Sequence, residues 1–123
     1  MTTVRLGAVS LDAADPRPLA DFYRHLLGAD TIFESEDFVA LKTAGIFLTV
    51  QRVADHRPPD WPDGAIPKQL HLELAVDDLE GAEGKALELG ALKAPDQPAP
   101  DRWRVLFDPA GHPFCITTLI PEG

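Results

Sequence analysis

His71 and Glu73 stand two residues apart in an alternating stretch, and the chain's single cysteine, Cys115, lies near its end. An imidazole has an unperturbed pKa of about 6.5, so His71 suits general acid or base work, with Glu73 to orient or tune it. Imidazole, thiolate and carboxylate are also the donor types that hold zinc and several transition ions. Strand neighbours two apart are separated by about 6.5–7 Å at Cα, so both side chains reach one centre only in a favourable rotamer pair. A plainer reading stands beside each. A lone histidine is commonly a polar residue on a solvated face, and an isolated cysteine a small core hydrophobe. Trp103 shares a strand face with Val105, where it either lines a ligand surface or fills the core. No nucleophile–base–orienter set and no glycine-rich phosphate loop can be read from the chain.

These residues need elements to position them. Gln69–Val76 sets Leu70, Leu72, Leu74 and Val76 against His71, Glu73 and Ala75, which predicts a strand with its leucines under a helix. His71 and Glu73 are then forced to the opposite face. Asp77 with Glu80 resembles a capping box, Leu79, Ala82, Ala86 and Leu89 make a helical stripe, and Gly90 stops it. Strands are expected at Ala91–Lys93, Arg102–Phe107 and Phe114–Leu119, the last with Phe114 and Ile116 towards the helix and Cys115 away from it.

The first half reads in the same order. A strand at Val4–Leu11 precedes Asp15-Pro16, a good N-cap and first helical residue. Leu19, Phe22, Tyr23, Leu26 and Leu27 form one stripe, and Gly28 closes the helix. Strands follow at Thr31–Ser35, Phe38–Lys42 and Ile46–Gln51. The helix-ending glycines Gly28 and Gly90, and the turn glycines Gly45 and Gly111, recur at nearly the same spacing, so the chain is an internal duplication. The expected organisation is α+β, a single domain over 1–123: module one at about 4–53, a proline-rich loop at 54–67, and module two at about 68–120. Trp61 in that loop either closes over a ligand or partner chain, or packs on its own domain's edge. A module of about 60 residues has too small a core to stand alone, so pairing is expected, within the chain or as a homodimer.

Composition limits the function. A net charge of −9 on 123 residues repels phosphate backbones, and the arginines are dispersed, so nucleic acid is not an expected partner. No apolar run approaches the ~20 residues of a membrane span, and Met1-Thr2-Thr3 leads into the first strand without a signal peptide. One cysteine excludes an intrachain disulfide framework and fits the cytoplasm.

The stretch Asp15-Pro-x-x-Leu-Ala-x-Phe-Tyr-x-x-Leu-Leu-Gly28 resembles the opening of vicinal oxygen chelate proteins, a superfamily that includes glyoxalase I, bleomycin-resistance proteins, fosfomycin-resistance enzymes and extradiol dioxygenases. His71-Leu72-Glu73-Leu74 before Asp77-Asp78-Leu79, and the run from Arg102 to Cys115, are similar to its second half, in the form of the glyoxalase-like subgroup. The resemblance implies two tandem βαβββ modules forming a U-shaped cleft, the glyoxalase/bleomycin-resistance fold. It places the metalloenzymes' four ligand positions on Ala8, Thr49, His71 and Cys115. Alanine cannot ligate, and neutral Thr49 and its face-neighbour Gln51 are poor donors, so no metal cofactor is expected; the weak candidates are His71, Glu73 and Cys115. The implied function is binding of a small organic molecule, metabolite or drug. Ser10, Asp12, Thr49, Gln51, His71, Glu73, Cys115 and Thr117 would supply polar contacts, with Phe47, Trp103 and Val105 as apolar surface. The alternative is a lyase, isomerase or dioxygenase-type enzyme using His71 as acid, base or metal ligand. A third reading is an interaction module that has kept the fold and lost the site.

Overall fold

The protein was analysed as a computed structural model, which describes residues 3–121; the reading of Met1 and Thr2 lies outside the described residues. Two compact units divide the chain, Met1–His56 and Arg57–Gly123.

In the first unit, β1 (Ala8–Ala13), α1 (Pro16–Leu27), β2 (Asp30–Glu34), β3 (Phe38–Lys42) and β4 (Phe47–Arg52) follow one another. They build a four-stranded sheet of order β1-β4-β3-β2, with β1 parallel to β4 and the other pairs antiparallel. Asp15 caps α1 by accepting from the Arg17 N–H at 3.2 Å, Pro16 fills the first turn, and Gly28 ends the helix in the left-handed conformation. Leu19, Phe22 and Tyr23 are fully buried, as are Val39, Leu41, Leu48 and Val50 on the strands. Each such large side chain contributes about 1.5–3 kcal/mol on leaving water. Leu26 and Leu27 are only half-buried.

β1 starts at Ala8 rather than Val4. Its parallel partner begins at Phe47, opposite Ala8, so Val4 and Leu6 have no strand beside them and are exposed. β2 and β4 each run one residue away from the expected bounds, and β3 matches them.

The second unit repeats the order with β5 (Leu72–Ala75), α2 (Leu79–Glu88), β6 (Leu92–Lys93), β7 (Trp103–Phe107) and β8 (Pro113–Thr117), in a sheet of order β5-β8-β7-β6. The chain is thus two tandem α+β modules. Phe114, Ile116 and Leu106 are buried, and α2 buries Ala86.

Three expectations are corrected here. β5 is short, and Leu70 is 84% exposed rather than under the helix. The residues that would face it belong to the turn closed by Asp108, whose Oδ1 accepts from the Ala110 and His112 N–H groups. The α2 cap is Asp78, not Asp77, and it makes no side-chain cap bond. Glu80 does not reach back to complete a box, because its carboxylate accepts from Arg104 Nη2 at 3.1 Å. β8 stops at Thr117 rather than Leu119, because the Thr117 hydroxyl accepts from the Leu119 N–H and donates to the Arg102 carbonyl.

With β6 only two residues long, Gln97 completes the edge of β7. Its Nε2 donates to the Ala94 and Val105 carbonyls at 2.9 and 2.8 Å, and its Oε1 accepts from the Val105 N–H at 3.0 Å.

The turn before β8 also seats the proline-rich loop. Gly111 has φ +86°, and a Cβ there would collide with the Pro58 Cβ. Gly111→Ala is expected to cost about 1–2 kcal/mol or more in chemical denaturation, from the left-handed backbone alone. Gly45→Ala, with open space around it, is expected to be near neutral.

Candidate functional site

The pleat of the second sheet divides its residues by parity. Leu72, Leu74, Phe114 and Ile116 take the α2 face, so Glu73 and its cross-strand partner Cys115 take the other. Val105 pairs with Cys115, and Trp103 with Thr117, on that same face. His71 immediately precedes β5 rather than lying inside it. Its Nε2 is 3.7 Å from Glu73 Oε1. One ligand atom each from His71, Glu73 and Cys115 all lie within 4.8 Å of one another.

The proline-rich loop folds over part of this face. Asp60 holds it closed: its N–H donates to the Ile66 carbonyl, and its Oδ2 accepts from the Ile66 N–H at 3.1 Å. Trp61 is thereby laid, with Trp103 and Phe107, against the buried cluster Ala94, Val105 and Cys115. The loop tryptophan packs on its own unit. Beside it is a cavity of about 250 Å³ lined by Trp61, Lys68, His71, Glu73, Trp103 and Cys115, among others. Arg102 sets its guanidinium 5.3 Å from the Trp103 ring centroid.

Lys68 had no role in the sequence reading. Its Nζ lies 3.4 Å from His71 Nδ1. Nothing local marks it, since it stands in an aperiodic loop and meets His71 only because the chain turns between them.

Cys115 is buried, which pushes its thiol pKa up; Glu73 adds to the rise and Lys68 opposes it. At neutral pH it is a protonated thiol on an apolar patch. Val105 is buried and also lines the cavity beside Trp103, and both hydrogen bonds of the Thr117 hydroxyl are used within the fold.

Ser10, Thr49 and Gln51 share one face of the first sheet, away from α1. Ser10 pairs with Thr49, and Asp12 with Gln51; Ser10 and Gln51 are exposed and Thr49 half-buried. Phe47 is on this face, 40% exposed. The registers equate the two sheets. Ser10 opposite Thr49 corresponds to Glu73 opposite Cys115, and Ala8 precedes Ser10 as His71 precedes Glu73. The donors of the second sheet are therefore matched by alanine and two hydroxyls in the first.

A family model described as a glyoxalase-like domain matches residues 8–117. Among curated proteins, nothing matches this sequence. Solved structures share the fold at low identity. A glyoxalase/bleomycin resistance protein/dioxygenase family enzyme from Burkholderia phytofirmans PsJN is 21% identical, with TM-score 0.68, over 93% of this chain and 98% of its own. A mutant of the fosfomycin resistance protein FosX from Listeria monocytogenes, complexed with Mn(II) and 1S,2S-dihydroxypropylphosphonic acid, is 14% identical, with TM-score 0.74, over 97% and 95%. The bleomycin-binding protein of Streptomyces verticillus, complexed with copper(II)-bleomycin, is 18% identical, with TM-score 0.61, over 95% and 98%.

The raised thiol pKa has a direct readout. Alkylation of Cys115 by iodoacetamide is expected to have its pH midpoint above that of an ordinary thiol, and to be several-fold slower at mildly alkaline pH. Glu73→Gln removes one cause of the rise and should move the midpoint down. An unchanged midpoint in that variant would contradict the assignment.

Proposed function

The chain belongs to the glyoxalase-like domain family of the vicinal oxygen chelate superfamily, and from that premise we propose that it binds a small organic molecule, a metabolite or drug, without an essential metal. One observation carries this reading: two indoles and the polar groups of Lys68, His71 and Glu73 surround one cavity on the sheet face away from α2. A volume of about 250 Å³ is just below the ~300–1,000 Å³ of typical ligand pockets, which favours a metabolite-sized molecule. Trp61 and Trp103 offer flat apolar surface, and His71 and Glu73 offer a donor and an acceptor. Ser10, Thr49 and Gln51 give the first sheet a second polar face that a ligand can use. The absence of strong donors at Ala8 and Thr49 supports the metal-free form.

Relatives with this fold include one complexed with copper(II)-bleomycin and one with Mn(II) and a phosphonic acid, so the fold accommodates organic ligands of more than one kind. An enzymatic reading is favoured by the 3.7 Å approach of His71 to Glu73 at the cavity. In it, the pair handles a proton alpha to a carbonyl of the bound molecule.

We also propose a homodimer. Exposed Ile32 and Phe33 on edge strand β2, and Leu92 on edge strand β6, are apolar surface of the kind that pairing covers. Among the described residues no helix is long and apolar enough to cross a membrane.

A thermal-shift screen of metabolites and drugs, run with and without chelator, tests the binding reading. The expected hit raises Tm equally in both, quenches tryptophan fluorescence, and protects Cys115 from alkylation. A hit that stabilises the protein while leaving Cys115 and the His71 titration untouched would place binding elsewhere. Sedimentation showing only the 13.4 kDa chain at micromolar protein would overturn the dimer.

A further inference from the structure

The cation around which the second-unit site is organised is, we propose, the Lys68 ammonium. It donates to His71 Nδ1, keeps a divalent ion out of the His71–Glu73–Cys115 cluster, and leaves the His71 Nε2–H as the donor offered to a ligand's oxygen. This inference rests on the metal-free part of the reading above.

An ammonium has donors and no acceptor, so Lys68 Nζ at 3.4 Å from Nδ1 requires the lone pair on Nδ1. The partner of one ring nitrogen sets the state of the other, and a neutral His71 then carries its proton on Nε2. Such a ring has no free lone pair for a metal: one is engaged by Lys68, and the other position is protonated. Charge acts the same way. Lys68 is half-buried and lines the same cavity as the three donors, so a divalent ion there would meet a positive neighbour at close range. Ala8 and Thr49, the positions where the family resemblance expects further donors, supply no strong one. The buried thiol of Cys115, which would have to lose its proton to bind, is held protonated by the same burial.

What remains is a neutral donor pointing into a cavity. Nε2 is 3.7 Å from Glu73 Oε1, beyond direct hydrogen-bond reach, so its N–H is free to turn to a bound acceptor. With Trp61 and Trp103 as flat walls, the fitting ligand has a carbonyl or carboxylate oxygen attached to a planar, apolar body. Lys68 acts through His71 and is a positioning residue.

The test uses the full-length, untagged protein and two variants, Lys68→Met and Lys68→Arg. Long-range ¹H–¹⁵N spectra, with His71 assigned through His71→Gln, should show an unprotonated Nδ1 and a protonated Nε2 in the wild type and in Lys68→Arg. That preference should weaken in Lys68→Met towards the modest Nε2–H excess of a free neutral imidazole, with a measurable rise in the Nδ1–H form. In titrations with Co²⁺ alone, read by the near-ultraviolet thiolate–cobalt band, Lys68→Met should bind at least about tenfold more tightly than the other two. A protonated Nδ1 in the wild type overturns the proposal, as does equal cobalt affinity in all three proteins. The wild-type spectrum can overturn the proposal even if a variant fails to fold. A metal that co-purifies with the wild type at one equivalent overturns both this inference and the metal-free reading. A metal-free wild type with the wrong tautomer overturns this inference alone.

Discussion

Side-chain alternation under α2 is the constraint on which the second unit depends. Leu72, Leu74, Phe114 and Ile116 must leave water together, and β5 and β8 run parallel in a register that puts all four on one side. A one-residue slip would bury Glu73 and expose Phe114, at a cost of several kcal/mol for the unpaired carboxylate alone. Everything on the opposite face follows from that choice. Glu73 meets Cys115, Val105 meets Cys115 from the other side, and Trp103 lies two residues along. The proline-rich loop then finds an apolar patch on which to seat Trp61.

The two helices reach their sheets by different means. α1 buries leucine and two aromatic rings, Phe22 and Tyr23, packed edge-to-face at 4.9 Å. α2 buries Ala86, and charged side chains also join it to the sheet. Arg104, on the same side of β7 as the helix, reaches Glu80 at 3.1 Å and Glu83 at 3.6 Å, and Lys93 on β6 reaches Glu83 at 3.5 Å. Glu80 is mostly exposed, so its pair contributes little; the better shielded Arg104–Glu83 contact fixes orientation more than it adds stability.

How much of this could be read beforehand depended on whether the signal was local. The first helix was legible because Asp15, Gly28 and the buried stripe all lie within it. The placing of Glu73 and Cys115 on one face was legible because parity is a property of each strand alone. Leu70 was misread because strand length is set by the partner, and β8 starts too late to face it. The capping box at Asp77 failed because Glu80 is claimed by Arg104, 24 residues away in sequence. Lys68 beside His71, and the closure of the Trp61 loop by Asp60, arise from chain reversals that no periodicity records.

Gln97 has a consequence beyond its own three hydrogen bonds. A strand whose outer N–H and C=O groups look into solvent is a template for a neighbouring molecule, and β7 outruns the two-residue β6 that should shield it. At Val105 the side-chain amide takes up both groups, and the Ala94 N–H shares the carbonyl. Further along, the Trp103 N–H is taken by the Ala99 carbonyl. An irregular loop thus covers the part of β7 that β6 leaves open, and it confines that side's exposed edge to the two residues of β6.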